Sequence, residues 1–222
     1  MMFLGRTVLL GGVILTILGA VACGSGSGGN PSPSPAGETP VSGGTPAPLP
    51  MPTVTGDVIN YPAKGYRARI PSGWNFQPNA VRAEEFAPDY LIRPETVDGV
   101  QANIIITCEQ LVGEARQLTL DQFVENKTTR AIRLGATDVA ERPATTVGGA
   151  PVRVLQYSRV LNNTPIVRRD MLFLHDDCAW QFAYTVSPGL ADSLQSDVDA
   201  FASSFEFIDR NGQGAPGASR HR

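Results

Sequence analysis

The chain has 222 residues, of which 42% are hydrophobic and 18% are charged, so it is long enough to bury the core of one ordinary domain. Its formal net charge at pH 7 is −3. A mildly negative chain is not typical of proteins that bind nucleic acid, and we predict no nucleic-acid partner.

The first residues have the pattern of a secretory signal. A single positive charge at Arg6 precedes an apolar run from Val8 to Ala22 that contains no charged residue. The run has about fifteen residues, whereas a helix that spans a bilayer needs roughly 20. Small residues lead directly into Cys23, which predicts cleavage at this point rather than a permanent membrane helix.

The residues before Cys23 resemble the lipobox of bacterial lipoproteins. The segment reads LGAVAC, with Ala20 where that family most often has leucine. The resemblance implies that residues 1–22 are a lipoprotein signal peptide and that Cys23 carries a diacylglyceryl group, with palmitate or a similar acyl chain on its new amine. Two or three acyl chains, at about 0.8 kcal/mol per buried CH₂, hold a protein on a bilayer. The alternative is an ordinary signal peptide that ends near a cysteine.

The composition after Cys23 predicts a spacer, then one domain, then a tail. Residues 23–53 are rich in Gly, Ser and Pro and contain Glu38 as their only charge. They offer nothing to bury, and a flexible linker of this length spans roughly 30 Å. Residues 54–208 form the predicted globular domain. Residues 209–222 are rich in Gly, Ser and Arg, and we predict a disordered tail.

Strand patterns dominate the predicted domain. In the segment Tyr66–Ile70, for example, apolar and arginine side chains alternate, which indicates a strand with one buried face. The segment 103–108 is apolar on both faces and is expected to lie inside the sheet. The predicted strands are 57–61, 66–70, 85–92, 103–108, 137–143, 152–160, 166–174 and 179–186.

Two segments have helical patterns. Thr119 and Gln122 form a capping-box pattern, and the apolar stripe that follows includes Lys127 through its stem and ends with Leu134, before Gly135. A second helix is predicted from Ser187 as N-cap, with Pro188 at its first position and Phe205 on its buried side. We therefore predict an α+β fold: an antiparallel sheet of about seven strands packed with two main helices.

The order of these segments resembles the PsbP/Mog1-like domains over residues 57–208. The matching motifs are Y-x-x-x-x-P-x-G-W (Tyr66, Pro71, Gly73, Trp74), T-L-x-x-F (Thr119, Leu120, Phe123), the hairpin of Gly149 and Pro151, and the final Ser204-Phe205. The resemblance implies a sheet between helices and a non-enzymatic role in binding or assembly. It supplies no catalytic residues, and we predict none.

Two cysteines remain after Cys23 is acylated. Cys108 ends one predicted strand and Cys178 begins another. Outside the cytoplasm an even pair favours a disulfide, which would close a loop of about seventy residues and stabilise the fold by roughly 4 kcal/mol. The alternative is two buried thiols.

Other candidate sites are weaker. The run from His175 to Cys178 mixes metal-ligand types, but Asp176 and Asp177 have the pattern of a hairpin turn, and we predict no metal and no cofactor. The aromatic residues of the last strand, Trp180 among them, are predicted to be core rather than a ligand pocket. Four arginines would form an exposed face for an anionic partner if their strands were neighbours; they are Arg67, Arg69, Arg153 and Arg159.

The predicted function is that of an extracytoplasmic lipoprotein, anchored to the cell membrane, with a non-catalytic binding or scaffolding domain and a protein partner in the cell envelope. The alternative is a carrier of a small apolar or lipid ligand, which predicts a closed apolar cavity of several hundred Å³. A hydrolase is the third and weakest hypothesis, because no nucleophile or phosphate-loop motif occurs in the domain.

Overall fold

The computed structural model describes residues 50–78, 87–143 and 146–209. The predicted signal peptide, Cys23, most of the predicted linker and residues 210–222 lie outside the described residues. Within the described part, no helix is both long enough and apolar enough to cross a membrane.

The described residues form strands and two α-helices in an order close to the predicted one. The strands are β1 (Thr53–Thr55), β2 (Val58–Tyr61), β3 (Tyr66–Arg69), β4 (Asn75–Gln77), β5 (Asp89–Val97), β6 (Val100–Gln110), β7 (Thr137–Arg142), β8 (Arg153–Leu161), β9 (Thr164–His175), β10 (Cys178–Val186) and β11 (Glu206–Phe207). The helices are α1 (Leu120–Arg133) and α2 (Gln195–Ser204).

The strands form two antiparallel sheets. The larger has seven strands in the order β4-β5-β6-β10-β9-β8-β7, and the smaller has four in the order β1-β2-β3-β11. The predicted α+β class, with a seven-stranded antiparallel sheet and two main helices, is confirmed. The second sheet was not predicted. The consecutive strands β1, β2 and β3 make up most of it, and β11, which follows α2, adds an edge strand by pairing with β3 through Phe207 opposite Tyr66, a contact between residues far apart in the chain.

The main core lies between the seven-stranded sheet and a layer made of the smaller sheet and α2. The aromatic face of β10 is buried as predicted, with Trp180 5% and Phe182 1% exposed. Phe201 of α2 and Tyr66 of β3 belong to the same buried cluster. Burial of several large aromatic side chains on one face is the principal stabilising contribution to this layer.

Helix α1 packs on the opposite face of the seven-stranded sheet. Its predicted capping box is present: the Thr119 hydroxyl accepts from the Gln122 backbone N–H, and the Gln122 side chain accepts from the Thr119 backbone N–H. Phe123 packs against this face of the sheet, and the Lys127 ammonium lies 5.2 Å from its ring centroid. The prediction for Leu134 was wrong. It follows the last residue of α1, no longer continues the buried stripe, and is 56% exposed.

Two predicted boundaries were also wrong. The second helix was expected from Ser187, but the chain forms a short 3-10 turn at Pro188–Leu190 and α2 begins only at Gln195. The Ser187 side chain makes no capping hydrogen bond, and Gly189 within the turn is a poor helix former. Strand β5 begins at Asp89; of the strand predicted at 85–92, residues 85 and 86 lie outside the described residues.

Candidate functional site

The four arginines predicted to form one face lie in different sheets. Arg67 and Arg69 are on β3 of the smaller sheet, and Arg153 and Arg159 are on β8 of the seven-stranded sheet. The neighbours of β3 are β2 and β11, whereas β8 lies between β7 and β9. Neighbouring strands were the condition for a common basic face, and this condition is not met.

Three of these arginines have carboxylate partners. The ion pairs are Arg67 with Glu206, Arg69 with Asp57 at 3.8 Å, and Arg153 with both Glu141 at 2.6 Å and Asp121. Exposed pairs of this kind contribute little to stability, but they reduce the charge available to a partner. Arg159 differs, because no carboxylate among the described residues lies within 4 Å of its guanidinium.

Arg159 lines a cleft of about 250 Å³ between α1 and the sheet. Three further cations line the same cleft: Lys127 and Arg130 from α1, and Arg168 from β9. We call these four residues and the space between them the basic cleft. The remaining lining residues are Ala131, Leu134, Tyr157, Asp170 and Gln181.

Local geometry explains why these side chains meet. Lys127 and Ala131 are four residues apart and lie on one face of α1, and Leu134 follows directly after the end of this helix. Side chains at alternate strand positions share a face, so Tyr157 and Arg159 of β8 lie on the same side of the sheet. Antiparallel pairing places Tyr157 directly opposite Arg168 of β9.

Among the described residues that line the cleft, the only carboxylate is already engaged. Asp170 is 3% exposed; it accepts from Arg168 Nε at 2.9 Å and from the Tyr157 hydroxyl at 3.1 Å. Burial, together with the charge of Asp170, raises the pKa of Tyr157 to about 12, so this hydroxyl keeps its proton near neutral pH. Asp170 therefore offsets one of the four cations.

Lys127, in the middle of α1, has a neutral hydrogen-bond partner. Its Nζ donates to Gln181 Oε1 at 2.9 Å. Burial lowers the pKa of Lys127, and the positive charges of Arg130 and Arg168 lower it further. Glu109 and Asp170 act in the opposite direction. The helical pattern indicated only a packing role for Lys127, and no sequence pattern pointed to Arg130 or Arg168.

A second cavity, of about 370 Å³, lies beside the cysteines. Cys108 and Cys178 are disulfide-bonded, with Cα atoms 5.8 Å apart, which confirms the predicted pairing. We call this space the disulfide cavity. Its wall also contains Lys64 and Asp89, whose side chains are 8% and 1% exposed and whose charged atoms lie 2.7 Å apart.

The residues considered as metal ligands have other contacts. His175 stacks on Phe207 with ring centroids 3.4 Å apart, Asp177 pairs with Arg116 at 3.1 Å, and Cys178 is in the disulfide. No group of three His, Cys, Asp or Glu residues within the described ranges is arranged to hold a metal ion.

We expect His175 to give the domain a pH-dependent stability. Burial lowers its pKa below the ordinary value of 6.5, and the charge of Asp176 only partly opposes this shift. Because the unfolded chain binds the proton more tightly, we expect the free energy of unfolding to be highest above pH 6.5 and to fall as the pH drops through that value. Urea unfolding at pH 7.5 and pH 5.5 measures the loss. In His175→Gln the difference between the two pH values should shrink; an equal difference in both proteins would contradict this role.

No protein-family model matches the chain, and no curated protein sequence matches it. Among solved structures, LpqN of Mycobacterium tuberculosis, described as involved in cell envelope biogenesis, is similar with a TM-score of 0.49 and 12% identity over 64% of this chain and 83% of that chain. Cyanobacterial PsbP from Synechocystis is similar with a TM-score of 0.45 and 14% identity over 75% and 96%. Both TM-scores lie below 0.5, so neither similarity carries an inference about function.

Proposed function

We propose that this protein is an extracytoplasmic lipoprotein, held at the cell membrane through lipidated Cys23, and that the domain at 54–208 binds an anionic envelope component without catalysis. The basic cleft carries the proposal. It concentrates four cations around one carboxylate, although the whole chain has a net charge of −3. A local positive potential of this kind attracts and orients an anionic partner.

The partner we propose is a protein, because apolar surface lies next to the cations. Leu134 lines the cleft and is 56% exposed. Apolar contact combined with arginine is typical of protein interfaces. The linker of residues 23–53 would let the domain reach a partner roughly 30 Å from the membrane surface.

The carrier hypothesis receives less support from the disulfide cavity. Its volume of about 370 Å³ is in the expected range, but its wall includes the buried pair of Lys64 and Asp89. An apolar ligand there would lie against charged groups, which is unfavourable.

The hydrolase hypothesis also receives little support. Both buried carboxylates of the described domain, Asp89 and Asp170, have hydrogen-bond partners, so neither is an unengaged general base.

Site-specific photo-crosslinking tests the proposal. A photoreactive residue at position 134 of the full acylated chain, in its native membranes, is expected to yield a discrete adduct. The same residue at position 54, which is Val54 on the smaller sheet, should yield none. The double variant Arg130→Gln with Arg159→Gln should reduce the adduct by about tenfold, equivalent to about 1.4 kcal/mol of binding free energy.

The matched control is Arg67→Gln with Arg69→Gln, which removes the same charge from the other sheet and should leave the adduct unchanged. Cys23→Ser is expected to move the protein out of the membrane fraction. Equal labelling from positions 134 and 54, or an adduct that is insensitive to loss of the cleft arginines, would refute binding at this cleft.

A further inference from the structure

We infer that the basic cleft contains a site for one phosphate-type oxyanion, held by Lys127, Arg130 and Arg159. The inference rests on the proposed function and names the chemical group that the cleft recognises. The charge, the hydrogen-bond donors and the volume of the cleft support it.

The positive charge of the basic cleft is largely uncompensated. The two oxygens of Asp170 accept from Arg168 and Tyr157, respectively, so this carboxylate is committed to the sheet. Among the described residues, no carboxylate lies within 4 Å of Lys127, Arg130 or Arg159. Glu109 acts on Lys127 only at longer range and is itself exposed to solvent. Three cations therefore face the same space without a contacting carboxylate.

The basic cleft also supplies hydrogen-bond donors for a ligand. Arg159 lines the cleft, and its guanidinium makes no hydrogen bond to a described protein atom; the Nε–H itself is buried. A guanidinium presents several N–H groups in a planar arrangement that matches two oxygens of a phosphate group. The ammonium of Lys127 has three N–H donors, of which the contact with Gln181 uses one. Donors from helix and strand thus converge on one site.

The volume of the basic cleft suits a small ligand. A volume of about 250 Å³ is smaller than the roughly 300–1,000 Å³ of pockets that take drug-sized ligands. One tetrahedral oxyanion with a few attached atoms fits this space.

Charge decides between a phosphate group and a carboxylate. A carboxylate carries one negative charge and two oxygens, whereas a phosphate monoester carries about −1.5 to −2 at pH 7 and three acceptor oxygens. Three cations are better matched by the phosphate. The apolar wall made by Ala131 and Leu134 lowers the local dielectric and strengthens these interactions.

The probe for this site is inorganic phosphate, titrated into the full chain in a neutral detergent. We expect saturable binding of one phosphate per chain and a rise in melting temperature relative to chloride of matched ionic strength. Arg130→Gln with Arg159→Gln should weaken binding at least tenfold, and Arg67→Gln with Arg69→Gln should not change it. The single variant Arg130→Gln, at an exposed position, should weaken binding about threefold and serves if the double variant is unstable.

A further arm identifies the source of the group. Vesicles of phosphatidic acid in phosphatidylcholine, with phosphate as competitor, test a lipid headgroup in the Cys23→Ser variant, which has no acyl anchor of its own; binding that requires the cleft arginines assigns a lipid source, and no binding assigns a soluble or protein-borne phosphate. The inference is overturned if acetate at equal ionic strength binds as well as phosphate, if the cleft variants bind phosphate normally, or if vesicles bind and phosphate does not. An adduct at position 134 without phosphate binding would leave the proposed function standing and remove this inference alone.

Discussion

Asp89→Ala is expected to lower the free energy of unfolding by about 3–5 kcal/mol, the usual effect of removing one member of a buried ion pair. Lys64 Nζ lies 2.7 Å from Asp89 Oδ1 and also donates to the Ala87 carbonyl at 2.6 Å. The Tyr66 hydroxyl donates to the other carboxylate oxygen at 2.9 Å. Loss of the carboxylate leaves a buried ammonium without its counter-ion and a buried hydroxyl without its acceptor.

Urea unfolding of the full chain in detergent measures this effect. The double variant Lys64→Met with Asp89→Leu removes both charges and should recover much of the loss, because apolar side chains of similar volume replace the pair. Arg116→Ala, which breaks the exposed pair with Asp177, is the matched control and should cost less than about 1 kcal/mol. A small effect of Asp89→Ala, similar to that of Arg116→Ala, would contradict a buried, stabilising pair.

The double variant Cys108→Ala with Cys178→Ala is expected to lower the free energy of unfolding by about 4 kcal/mol. The disulfide closes a loop with a sequence separation of 70, and without this link the unfolded chain gains conformational freedom. The link also joins β6 to β10, two strands inside the seven-stranded sheet.

Unfolding of the parent protein with and without reductant measures the contribution of the disulfide to the free energy of unfolding. The parent should lose about 4 kcal/mol in the presence of reductant, whereas the double variant should be insensitive to it. Mass spectrometry of the alkylated parent, without reductant, is expected to show both cysteines protected. Two freely alkylated thiols in that sample would be incompatible with the bond.

Predictions from local pattern were confirmed where the pattern has a local physical cause. The capping box of Thr119 and Gln122 formed because its hydrogen bonds join residues three positions apart. The aromatic face of β10 was identified because alternate strand positions must share a side. The boundary predicted at Ser187 was wrong because this side chain makes no capping hydrogen bond and Gly189 is a poor helix former, so the chain makes a short turn before α2.

The smaller sheet shows a different limit. β3 was identified from its alternation, but its partners were not, because β11 has only two residues and lies more than a hundred positions away. Pairing between distant segments depends on the energy of the whole fold rather than on either segment. The same dependence applies to the pair of Lys64 and Asp89, whose residues carry no local sign of their contact.

The sequence by itself determined the α+β class, the two helices and the pattern on which lipidation of Cys23 is proposed, because each follows from composition, periodicity or short spacing. It favoured a bond between Cys108 and Cys178 but left two buried thiols open, and the structure decided for the disulfide. Only the tertiary structure decided which cations share a surface. It separated Arg67 from Arg159 and joined Arg159 to Lys127 and Arg168. The physical reason is that strand order and helix docking place these side chains together, and both are set by burial of the core rather than by the charges themselves.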